Sequence, residues 1–90
     1  MEGCGVNGRA YMARVRELPC VLCQKIGTPQ ETPTAAHHVF DTRSDFLTAA
    51  ICHYHHQGAG GFHHLGEREF NRRYKTSEAE LLAMTIERLS

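Results

Sequence analysis

The chain has 90 residues, with 10 Lys+Arg against 10 Asp+Glu, four cysteines and seven histidines. That length holds one domain with a thin core, the kind that usually needs a staple. The only notable apolar run, residues 47–52, is too short for a membrane span or an export signal, and the zero net charge gives no global pull toward nucleic acid or an anionic membrane.

Residues 1–6, with Cys4 between two glycines, read as a flexible tail and a bystander thiol. Asn7 is an N-cap for a helix carrying Tyr11, Met12, Val15 and Leu18 at helical spacing, which Pro19 stops. Cys20-Val-Leu-Cys23 is a knuckle, and residues 25–34 are a Gly- and Pro-containing loop. Residues 35–40 and 46–51 read as two strands around the turn formers 41–45, an antiparallel hairpin. A helical turn over 52–57 ends at Gly58-Ala-Gly-Gly61, and a connector over 62–65 leads to a helix over 66–74. Ser77 and Glu80 form a capping box for a last helix with a Leu81, Leu82, Met84, Ile86, Leu89 stripe. The fold class is α+β, a small zinc-stabilised domain over residues 7–90 with one hairpin and flanking helices.

With no export signal, the cysteines point to metal ligation in a reducing cytoplasm rather than to a disulfide framework. A redox C-x-x-C pair would want a βαβ context, which is missing. A closed zinc site takes four nitrogen or sulfur ligands as two close pairs. Cys20 and Cys23 are one pair, Cys52 and His55 the other, and ligands three apart on a helical turn share a face. Buried small thiols are the plainer alternative. The zinc would supply folding energy that the thin core lacks.

All seven histidines lie within residues 37–64, so six remain after His55 is assigned. His37 and His38 are neighbours at a strand end, where a regular pleat points them apart and twist can bring both toward one site. His56 stands about 100° around the turn from His55 and so serves a second site on the other flank. His63 lies close enough to return there; His64 divides between ligation and packing, and His53 is a surface residue. Several imidazoles around one point are costly unless a metal or a reaction uses them.

The pieces Cys20-x-x-Cys23, Ala36-His37-His38, Ile51-Cys52-x-x-His55-His56-Gln57, His63 and Phe70-x-x-Arg73-Tyr74 resemble the HNH, or ββα-metal, nuclease superfamily. The wording is most similar to phage recombination-enhancement nucleases acting on DNA in recombinase filaments, and the likeness runs from Arg14 to Leu82. The asparagine of the family's middle letter is replaced, its place ahead of Cys52 holding Phe46, Leu47 and Thr48. The long basic arm of the recombinase-dependent relatives has no counterpart here, which leaves filament dependence open.

The resemblance implies an HNH-like domain that hydrolyses DNA phosphodiesters in the cytoplasm, a host's if the chain is phage-encoded. His38 would be the general base, and His37, His56 and His63 would hold one catalytic divalent metal (zinc, manganese, nickel or magnesium) beside the structural zinc. Asp41 is by default a turn residue, and otherwise an oxygen ligand or the group orienting His38. Arg68, Arg72, Arg73 and Lys75 make the best phosphate-gripping surface, with Arg43 as a clamp near the scissile group. The partners implied are DNA, read without sequence preference, and a RecA-type recombinase filament; no membrane is involved. The rival reading is a non-catalytic zinc module that binds nucleic acid or a protein and needs one metal only.

Overall fold

The computed structural model describes residues 7–90, so the expected N-terminal tail and Cys4 lie outside the described residues. The elements are α1 (Gly8–Arg16), α2 (Val21–Ile26), β1 (Thr34–His38), β2 (Thr48–Cys52), α3 (His53–His56), α4 (Phe62–Leu65), α5 (Glu67–Tyr74) and α6 (Glu78–Leu89). This is a small α+β arrangement in which one two-stranded antiparallel hairpin is flanked by helices. None of the described helices is long and apolar enough to cross a membrane.

Local chemistry sets the boundaries. Asn7 caps α1, its side-chain oxygen accepting from the Ala10 amide at 2.8 Å. The knuckle is more regular than its sequence reads: Cys20 is itself the N-cap of α2, its sulfur accepting from the Cys23 amide at 3.3 Å. Gly27, at φ 76°, ends that helix in the left-handed region. Ser77 caps α6 by accepting from the Glu80 amide at 3.1 Å. The reciprocal half of the capping box does not form, because the Glu80 carboxylate turns to Thr76 and Lys25 instead.

In the hairpin His37 pairs with Ala49 and His38 with Thr48. Both strands are shorter than read from sequence. Phe40 and Asp41 turn left-handed, at φ 58° and 56°, so β1 cannot run on to residue 40. On the return side the Phe46 and Leu47 amides fold back on Ser44, leaving Phe46 half exposed against Tyr11 instead of in the sheet.

Every residue of β2 is buried, so this strand forms the floor of the core with Val15, Val21, Leu22, Phe70 and Leu81 packed around it. The helix α6 covers it with Leu81 and Thr85 buried and with Leu82, Met84 and Leu89 of the predicted stripe partly buried against the core, while Ile86 stays exposed. Thr85 Oγ1 accepts from the buried Ala50 amide at 2.9 Å, satisfying a strand donor that the hairpin partner does not use.

Candidate metal centre

Among the described residues, two side-chain groups could hold a metal ion: Cys20, Cys23, Cys52 and His55, all buried, and His37, His56 and His63, which pass from buried to exposed. The single turn of α3 serves both, with His55 in the first group and His56 in the second.

In the first group Cys23 Sγ is 3.8 Å from Cys52 Sγ. His55 Nδ1 stands 4.0, 3.6 and 3.3 Å from the sulfurs of Cys20, Cys23 and Cys52. A tetrahedral zinc with ordinary bond lengths requires edges of about 3.8 Å between sulfurs and about 3.6 Å from sulfur to nitrogen. The four atoms thus already have the size of a zinc shell, and the group could hold a zinc ion. Two close thiols alone would explain the sulfur distance but not the imidazole nitrogen near all three sulfurs.

The electrostatics agree with that assignment. Burial, then the neighbouring Cys20, pushes the Cys23 thiol up to about 12, and burial also raises Cys20. Burial acts upward on Cys52 too, but hydrogen bonds from the Thr32 hydroxyl and the His55 backbone outweigh it and bring that thiol below the ordinary cysteine value. Burial lowers His55, keeping its ring neutral. Cys20 and Cys23 thus favour the neutral thiol, and a divalent cation held by the group would deprotonate them by its charge.

The second group depends on a tight chain reversal. The Gly58-Ala-Gly-Gly61 segment brings α4 back against α3, so that His63 Nε2 lies 3.1 Å from His56 Nε2. A Cβ on Gly61 would stand 2.8 Å from the His56 carbonyl carbon, and one on Gly60 would stand 2.6 Å from the Tyr74 hydroxyl. These glycines allow a close backbone approach rather than a loose linker. His37 closes the group from β1, its ring centroid 5.1 Å from that of His56 and 5.4 Å from that of His63. The Phe62 ring packs on His37 at 4.6 Å and backs the cluster with apolar surface.

His37 Nε2 lies 2.8 Å from Glu78 Oε2, while Nδ1 is buried without a hydrogen-bond partner. Burial, then the charges of His63 and His38, holds His37 down to about 4; burial, then His37 and His63, does the same to His56. Both rings are therefore neutral at physiological pH, the form in which imidazole binds a metal. An orphaned buried nitrogen in an imidazole cluster that opens to solvent on its His63 side suits a metal with a free coordination position.

His38 lies outside both groups. Its charge nonetheless reaches His37 and His56, and its Nε2 pairs with Asp45 Oδ1 at 3.1 Å. Asp45, rather than Asp41, is the carboxylate on His38, and Asp41 sits exposed at the left-handed turn. A methyl on Gly8 would stand 2.5 Å from Asp45 Oδ2, so the start of α1 packs against this carboxylate. Neither Asp41 nor His64 belongs to either metal group, and His53 is exposed. Arg68, Arg72 and Arg73 lie on α5 with Lys75 at its C-cap, and Arg43 is exposed in the hairpin turn. Arg72 forms a two-point pair with Glu69, and Arg73 reaches the same carboxylate at 3.7 Å.

Sequence reasoning missed Asp45 and Glu78. Asp45 had a weak signal, since a hairpin closing between residues 38 and 48 brings it back beside His38. Glu78 lies 41 residues from His37 and had none. No family model matches the chain, and neither a curated protein nor a solved structure matches it.

Proposed function

We propose that this chain is a metal-dependent DNA endonuclease of the HNH, or ββα-metal, type. The observation that carries the reading is the His37, His56 and His63 cluster, open to solvent beside a hairpin that ends in His38 and backed by a separate Cys3His group. A zinc module with a purely structural role has use for the first group alone.

A divalent ion held by these three imidazoles would supply Lewis-acid stabilisation of the phosphate and the departing 3′ oxygen. The remaining chemistry belongs to protein side chains. Asp45 Oδ1 accepts from His38 Nε2–H, fixing the tautomer that leaves the Nδ1 lone pair basic. As water adds to phosphorus, its proton passes to His38 Nδ1 and the bond to the 3′ oxygen breaks, that oxygen leaving as an alkoxide that takes a proton from solvent. Arg43 would contact the phosphate flanking the cut, while Arg68, Arg72, Arg73 and Lys75 would grip the backbone further along without reading sequence. A phage origin and action within recombinase filaments belong to the same proposal and rest on the motif likeness.

Plasmid nicking by wild type and His38→Ala tests this in manganese, zinc or magnesium. The expected result is nicking by wild type that His38→Ala loses while retaining its circular dichroism spectrum. Equal nicking by both, or none under any metal, overturns the proposal.

A further inference from the structure

The geometry points to Glu78 as the positioning residue of the three-histidine group, the carboxylate that holds His37 in the tautomer and orientation needed to bind a metal through Nδ1. The inference rests on the second metal site proposed above. It concerns a residue at the first turn of α6, far in sequence from every histidine.

Glu78 is only 5 % exposed, and a carboxylate removed from water must be paired and hydrogen-bonded. Its two oxygens divide their partners. Oε2 lies 2.8 Å from His37 Nε2, and Oε1 accepts from the Phe40 amide at 3.0 Å. The first-turn position on α6 also favours a negative charge.

A carboxylate can only accept, so the contact to His37 requires the proton on Nε2. The nitrogen left with a free lone pair is Nδ1, the buried atom without a partner. A carboxylate behind a metal-binding imidazole fixes its tautomer, restrains ring rotation and raises its basicity. The second oxygen ties the same carboxylate to Phe40, at the left-handed turn that ends β1. One side chain thus sets both the ligand and the backbone two residues beyond His38.

A merely structural Glu78 would pin the turn through Phe40 and affect only folding stability. The two roles separate on metal affinity. With the Cys3His group filled by zinc, Co2+ is titrated into wild type and Glu78→Gln well below their melting temperatures, and binding is read from its d–d absorption. Positioning predicts that Glu78→Gln keeps its one zinc and its circular dichroism spectrum while Co2+ affinity falls roughly 10- to 100-fold. A folded variant with a lowered melting temperature and wild-type Co2+ affinity overturns the inference alone. Failure of wild type to take a second metal overturns both the inference and the catalytic-centre reading. Should Glu78→Gln not fold, the His37 tautomer of wild type, read from long-range 1H–15N correlations, decides: a proton on Nε2 supports the assignment, and a proton on Nδ1 overturns it.

Discussion

Replacing Cys23 by serine should cost this protein its fold. Cys23 is only 4 % exposed, and its sulfur sits 3.8 Å from the Cys52 sulfur and 3.6 Å from His55 Nδ1. Zinc would connect the start of α2 to the end of β2 and to α3, segments about thirty residues apart in sequence. Structural zinc sites supply about 10–16 kcal/mol of apparent binding energy in small domains, whereas a chain of this length is stable by roughly 5–14 kcal/mol in total. Losing one of four ligands, and leaving a hydroxyl unsatisfied in the pocket at about 1–3 kcal/mol more, therefore removes most of the margin. Thermal melting by circular dichroism, with zinc content measured on the same samples, reads the effect. The expected outcome is an unfolded or aggregating variant, reproduced in wild type by strong chelation. Since about 1 kcal/mol moves the midpoint by roughly 4–8 °C in a domain of this size, a zinc-free Cys23→Ser protein melting within about 4 °C of wild type would refute the structural-zinc assignment.

Asp45→Asn should fold normally and nick DNA at least tenfold more slowly than wild type, because the acceptor that fixes the His38 tautomer is weakened; unchanged turnover would remove Asp45 from the mechanism. Gly61→Ala should weaken the second metal and leave the first in place, since its methyl would meet the His56 backbone at 2.8–2.9 Å; elemental analysis after mild chelation shows whether only one equivalent is lost. Replacing Arg72 and Arg73 together by alanine should lower the salt dependence of DNA binding by about two phosphate contacts with metal content unchanged, and an unaltered slope would exclude this face of α5. Between pH 7.5 and 5.5 the protein without a metal at the second site should lose roughly 1 kcal/mol through His37, because the unfolded imidazole takes a proton near pH 6.5 that the folded one, held to about 4 by burial, refuses. Urea denaturation at the two pH values tests this, and equal stability at both would contradict it.

The Cys3His group was legible in sequence because each ligand pair sits inside one local turn, so spacing alone fixes which side chains share a face. Cys20 and Cys23 open α2, and Cys52 and His55 span the junction of β2 and α3. The histidine cluster was half legible. Adjacency of His55 and His56 on a helical turn implied two flanks, but the return of His63 depended on how tightly residues 58–61 reverse, which only the packing against Tyr54 and Tyr74 determines. The strand ends were misread for a similar reason. The apolar runs favour extension through Phe40 and from Phe46, whereas the left-handed turn and the Glu78 contact to the Phe40 amide cut the hairpin short. Of the apolar stripe from Leu81 to Leu89, Leu81, Leu82, Met84 and Leu89 pack on the core as read, and Ile86 alone turns outward, while Thr85 takes a buried place through its hydroxyl bond with a strand amide.

The two groups depend on each other in one direction. His55 and His56 belong to a helix of four residues, α3, too short to be stable by its own hydrogen bonds. Its orientation comes from the Cys52 and His55 contacts at one flank and from the ring of Tyr74, 5.1 Å from His55, above it. From Tyr74 the aromatic contacts continue through Phe70 at 4.9 Å to Phe62 at 5.4 Å and on to His37 at 4.6 Å, so the backing of the second group is packed from the first. Loss of the structural zinc should therefore disperse the histidine cluster. Emptying the proposed second site would leave the Cys3His group, β2 and the core around Leu22 and Ile51 intact, so removal of a metal bound there should silence any activity with the fold retained.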